Sequence, residues 1–202
     1  MKMILASAAF AAGLLIAGQS GAQISADPSQ VQGGAFQVEP NHTRVQFNVL
    51  HMGFTHYWGD FTGASGTLDL DPVHLAQSKV SVSIPVASVS TTNAKLDGEI
   101  KSPMFLDGAA YPTITFTSTG VTPTSATTAD ITGQLTLHGV TRPITLHATF
   151  NAGGANPMSK TYTVGFDAKG SFNRSDFGVK TYVPLIGDNV DVTISAAFEK
   201  KG

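Results

Sequence analysis

GQLTLHGVTRPITLHATF, residues 133–150, holds two alternating runs around a short break. Leu135 and Leu137 flank Thr136. Beyond the break, Ile144, Leu146, Ala148 and Phe150 alternate with Thr145, His147 and Thr149. A side-chain period of two belongs to a strand with one face on a core and the other toward water. HGVT (138–141) between the runs reads as a hairpin turn, with Gly139 taking the positive φ that a side chain disfavours. A hairpin with one oily face must bury that face against further strands.

The same rhythm recurs along the chain. It is carried by Val45, Phe47 and Val49; by Val80, Val82, Ile84 and Val86; by Ile114 and Phe116; by Tyr162, Val164, Phe166, Ala168, Gly170 and Phe172; and by Val190, Val192, Ile194, Ala196 and Phe198. The alternate positions are mostly Thr and Ser, which suit a strand and face water at little cost. Charged or proline-blunted edges are scarce, so closure into a barrel is favoured over an open sheet. One segment, 91–112, lacks alternation. Asn93 caps a predicted short helix running to about Lys101, ended by Pro103, with Leu96 and Ile100 on one face. The fold class that follows is all-β: an antiparallel barrel of about eight strands with one short helix near an opening.

The length, 202 residues, points to one domain. MKMILASAAFAAGLLIAG has Lys2 near its start and then an apolar run, and Ser20 and Ala22 have the spacing of a cleavage site. Residues 1–22 therefore read as a secretory signal peptide, residues 23–34 as a flexible polar lead-in, and 35–202 as the folded domain, exported to the periplasm. The chain has no cysteine, so no disulfide can staple it, and its stability must come from the core. Charged residues make up 13% and the net charge is −2, which argues against a nucleic-acid partner or a polybasic membrane patch.

A barrel of about eight strands either fills with side chains or encloses one small ligand. Inward runs of Val, Ile, Ala and Gly with scattered Phe leave space more readily than rings throughout, but both interiors stay open on the residues alone. The candidate lining is Phe47, Val49, Phe61, Val82, Ile84, Phe105, Ile114, Phe116, Leu135, Leu137, Leu146, Phe166 and Phe172. Counting on by twos from Phe172 reaches Arg174 and Asp176, an arginine on an otherwise oily face.

The order of landmarks resembles the YceI-like family of periplasmic polyisoprenoid-binding proteins. The matching stretches are FQVEPNHTRVQFNVLHMGFTHYWGDFTG (36–63), VSVSIPVASVSTTNAKLDGEIKSPMFLD, YPTITFTST, GQLTLHGVTRPITL, GFDAKGSFNRSDFG and IGDNVDVTI, together spanning 36–198. The resemblance implies an extended, lipocalin-like barrel with an apolar tunnel. It also implies a bound isoprenoid such as a polyprenyl phosphate or ubiquinone, or a related amphiphile, with no cofactor required. The family often carries Asp-x-His-Leu after the Thr-x-Asn turn. Here the run is Asp97, Gly98, Glu99, Ile100, with Glu99 where that histidine stands.

A buried guanidinium needs partners. The candidate acids for Arg174 are Asp176, Asp97, Glu99 and Asp188. Paired with one of them it is a polar plug; left facing the tunnel it is a head-group site. His51 continues the phase of Val49, which sets it at a mouth or in a hydrogen-bonded turn. Trp58 and Tyr57 suit a half-wet entrance or a core cap. His51 and His56, five apart, fall on opposite faces of a strand, which disfavours a shared metal. His138 is expected to be solvated. Ser65 in GASG is no nucleophile elbow, and no Walker-type loop occurs. A binding module is favoured over its rivals: a lipid-modifying enzyme using Arg174, Asp97 and Glu99, or a packed barrel serving a partner such as a membrane redox protein. A homodimer through an edge or mouth stays open.

Overall fold

A computed structural model describes residues 24–201; the signal-peptide segment 1–22 lies outside them. The strands are β1 (Gly34–His51), β2 (Thr55–Phe61), β3 (Ser65–Leu70), β4 (Lys79–Pro85), β5 (Thr113–Pro123), β6 (Thr128–Leu137), β7 (Val140–Ala155), β8 (Tyr162–Asn173) and β9 (Ile186–Lys200), with one α-helix, α1 (Ala94–Lys101), between β4 and β5. Every pairing is antiparallel, and β1–β9 pairing closes the sheet. β1 is long enough to take two partners on one side: its Gly34–Gln37 pairs with β3 and its Val45–His51 with β2. β2 and β3 are therefore two halves of one stave, and the nine strands make an eight-stave barrel.

The turn at 138–139 shows why the pattern folds this way. Leu137 pairs with Val140, and both loop residues are left-handed, His138 at φ 51° and Gly139 at φ 73°. That is the turn whose twist matches the strands it joins. α1 starts where Asn93 Oδ1 accepts the main-chain N–H groups of Lys95 and Leu96 (3.2 and 3.3 Å), satisfying two donors that a helix start leaves without partners. It lies over the upper end of the barrel, beside the β1–β2 hairpin and the segment 174–185.

β1 carries a bulge: five steps on β1 from Glu39 to Arg44 face two on β9, and Thr43 Oγ1 accepts from Ala197 N at 3.1 Å. Three expectations are corrected. The lead-in is not loose over its described part. Ser25 bridges to Gly153, and Gln32 N donates to the Tyr162 hydroxyl at 3.0 Å, so the segment is tied to the lower end of the barrel. His138 is half-buried, with its ring edge-on to Tyr111 and Nδ1 3.2 Å from Phe177 O. Alternation on β8 stops at Asn173, and Arg174 opens a 3₁₀ turn, Arg174–Phe177.

An apolar tunnel capped by a buried arginine

The inward faces of the staves enclose two apolar chambers, about 330 Å³ toward the upper end and about 240 Å³ toward the lower. Val45, Ile84, Phe116, Leu146 and Ile194 belong to both walls. These five, from β1, β4, β5, β7 and β9, form a waist between the two chambers, which follow one another along the barrel interior.

The period of two puts the candidate lining into this space. Phe47, Val49, Phe61, Phe105, Ile114, Leu135, Leu137, Phe172 and Arg174 line the upper chamber; Val82 and Phe166 line the lower; Ile84, Phe116 and Leu146 touch both. His51 and Glu99 stand on the upper wall, as do Leu96 and Ile100 of α1. Three other candidates do not line the tunnel. Trp58 pairs with Asn48, one residue out of phase with the inward Tyr57, and is 53% exposed. Asp97 turns back to Thr91, accepting from its N (2.6 Å) and Oγ1 (2.7 Å). These bonds hold the Asp97 carboxyl below its ordinary pKa, the hydroxyl bond first and the main-chain bond second. Asp176 is exposed in the 3₁₀ turn.

Arg174 is buried, at 6% exposure, and its partners are not carboxylates. Nε donates to Gly187 O (2.9 Å), Nη1 to Val179 O (3.0 Å) and Thr181 O (2.9 Å), and Nη2 to Ile186 O (2.9 Å). The guanidinium thus gathers four main-chain carbonyls of the 179–187 segment and fixes it across the barrel's upper end. Burial pushes its pKa down, and the nearby Asp188 carboxylate opposes that; the group stays protonated. Asp188 itself accepts from Ser175 N (2.9 Å) and Ser175 Oγ (2.6 Å), tying the 3₁₀ turn to the start of β9. Of the acids weighed for Arg174, Asp188 acts through space, Asp97 is engaged by Thr91 and Asp176 stands exposed.

The alternating signal could not have found several wall residues. Val179 and Tyr182 reach the upper chamber from a segment without periodicity, and Pro28 and Val31 reach the lower one from the lead-in. His51 and His56 part as their spacing requires: His51 faces the chamber, while His56 is exposed with Nδ1 2.7 Å from Asn48 Oδ1.

Comparison with known proteins gives matches over most of the chain. Residues 36–198 match the YceI-like domain. A "UPF0312 protein" of Pseudomonas syringae pv. tomato is 39% identical over 201 residues, covering 99% of this chain and 100% of that one. The crystal structure of Burkholderia cenocepacia BcnA superposes with a TM-score of 0.72 at 24% identity, covering 79% of this chain and 98% of that one. A polyisoprenoid binding domain from Saccharophagus degradans superposes with a TM-score of 0.62 at 16% identity, covering 84% and 100%. The last two likenesses concern the fold.

Proposed function

Since the chain belongs to the YceI-like domain family, we propose that its tunnel holds one long isoprenoid chain or a related amphiphile, as a carrier, store or scavenger in the periplasm. The observation that carries this is that two apolar chambers stand end to end in the barrel and share five wall residues, which we read as one tunnel. A long, narrow, apolar space suits a linear hydrocarbon better than a compact solute. Each buried CH₂ contributes about 0.8 kcal/mol, so a few prenyl units offset the entropic cost of binding. The resemblance to a polyisoprenoid binding domain agrees with this choice of ligand. Binding rather than catalysis is the function so assigned.

The polar head belongs at the upper end, where His51, Glu99 and Arg174 stand on the wall. Four Arg174 N–H groups are already given to carbonyls, and Glu99 adds a carboxylate. A phosphate dianion would meet that carboxylate; a neutral acceptor such as a quinone oxygen would not. The head group we assign is therefore a neutral, oxygen-bearing one. Organic extraction of the purified protein followed by mass spectrometry tests the assignment. A prenylated quinone-type lipid at near one per chain is expected. Absence of any amphiphile, together with no uptake of added quinones or polyprenyl lipids, overturns it.

A further inference from the structure

The exposed apolar side chains are not spread evenly. Of eleven large ones among the described residues, only Ile24, Val73 and Met158 lie at the lower end; the other eight surround the upper end. The outermost sit on loops. Met52 and Phe54 form the tip of the β1–β2 hairpin, with Phe54 87% exposed, and Leu185, 64% exposed, lies beside them with Tyr182. A surface this apolar at one pole marks an interaction site.

The loops are joined to each other. Met52 N donates to Leu185 O at 2.9 Å, and Thr181 Oγ1 donates to Met104 O at 2.5 Å. Phe54 N closes the hairpin tip onto His51 O at 3.0 Å. The tips are thus held in place as one rim. Residues 50–59 and 181–187 contain no Asp, Glu, Lys or Arg. Tyr182 belongs to both places: it lines the upper chamber and stands half-exposed on the rim.

We propose that this rim inserts into the interface of a lipid bilayer and sets the tunnel mouth against it. The proposal rests on the tunnel reading above, because a prenyl chain crossing open water would expose the hydrocarbon that the tunnel buries. Separate apolar tips on three loops enter a fluid lipid surface without needing a complementary shape. A second copy would instead have to match them over roughly 800 Å² on each partner. Uncharged tips also fix the character of the contact: it is driven by burial of apolar area, so neutral lipid suffices and salt does not release it.

The test is flotation of the purified chain without the 1–22 signal peptide, using vesicles of neutral phosphatidylcholine, at low and high salt, read also by the emission of Trp58. It is the chain's one tryptophan, and it lies on β2 four residues from Phe54 at the hairpin tip. Binding at both salt levels with a blue shift is expected, and Phe54→Ser with Leu185→Ser should lower vesicle partition by about tenfold or more while the melting temperature holds. Failure of the natural chain to float overturns the proposal, as does a double variant that floats equally well. Sedimentation showing a dimer that the double variant converts to monomer also overturns it, since the rim then joins two copies. Extraction is carried out without membranes, so the two ideas fail separately. A filled tunnel with no flotation sinks the rim; flotation with an empty tunnel sinks the ligand.

Discussion

Removing the Arg174 side chain should undo the upper end of the barrel before anything else. Arg174→Met keeps the length of the stem and deletes the fork, so four carbonyls lose their donors: those of Val179, Thr181, Ile186 and Gly187. Charge-assisted bonds contribute roughly 1.5–3 kcal/mol each, which sets an upper bound of about 6–12 kcal/mol for the set. Two effects reduce it. All but the Val179 bond are only part-buried, so water can reach those carbonyls once the fork is gone. The penalty for burying the guanidinium is also recovered. A net loss of about 3–5 kcal/mol remains, in line with the cost of breaking other buried charge networks. For a domain of this size that corresponds to a fall of about 6–20 °C in melting temperature. Calorimetry reads the global loss, and amide exchange locates it, with 174–187 exchanging first. Arg174→Lys should recover only part of the loss, because an ammonium cannot span the same four acceptors. A Met variant that melts with the natural protein, with 179–187 still protected, would refute the idea that one guanidinium organises this end.

Two further perturbations concern the waist and the start of α1. Leu146→Phe places a larger side chain at the waist between the chambers; it should cost about 1–3 kcal/mol from overpacking and should weaken binding of long prenyl chains while sparing chains short enough for the upper chamber. Titration with a graded series of prenyl quinones checks this, and equal loss at every length counts against a waist. Asp97, whose folded pKa lies below the ordinary 3.8, contributes stability that is complete above that ordinary value and is lost as pH falls through the lower folded one. Residues 91–101 should therefore loosen in strong acid, and Asp97→Asn should loosen them at neutral pH, both read by amide exchange; protection unchanged in the variant would show that the Thr91 bonds do not hold the helix start.

The barrel was legible because its signal is local and repeated. A period of two on each stave fixes which side chains point inward, and Leu135, Leu146 and Val192 follow it into the tunnel. The helix was legible from its cap and its breaker, Asn93 and Pro103. The Arg174 site was not. Its acceptors are main-chain carbonyls, which every residue owns, so nothing in TYVPLIG marks it as a partner while the nearby acids draw the eye. The 3₁₀ turn hid the change of phase as well. Counting by twos carries Asp176 onto the inward face, whereas the chain has already turned and left it in solvent. Trp58 stayed ambiguous for a different reason. HMGFTHYWG has no clear alternation, and only the pairing of Asn48 with Trp58 sends it outward.

Why the middle is hollow is a separate question from why the wall is oily. The chain has twelve phenylalanines and could fill a barrel. Two of them are kept to the wall by glycines on neighbouring strands. The Phe47 ring lies against Gly59, its direct partner across β1 and β2, and the Phe116 ring lies against Gly133 of β6. A Cβ at either glycine would collide with the ring, so each ring occupies the room that a side chain would have taken. Phe116 is a waist residue, and its place on the wall keeps its ring from filling the space between the chambers. Hydrophobicity alone would not give this result: the same composition with alanine at those two sites would push rings into the lumen. An open apolar interior forgoes the dispersion contacts that close packing supplies. A fold that spends glycines on keeping it open is one in which the missing contacts are to be made by something that enters.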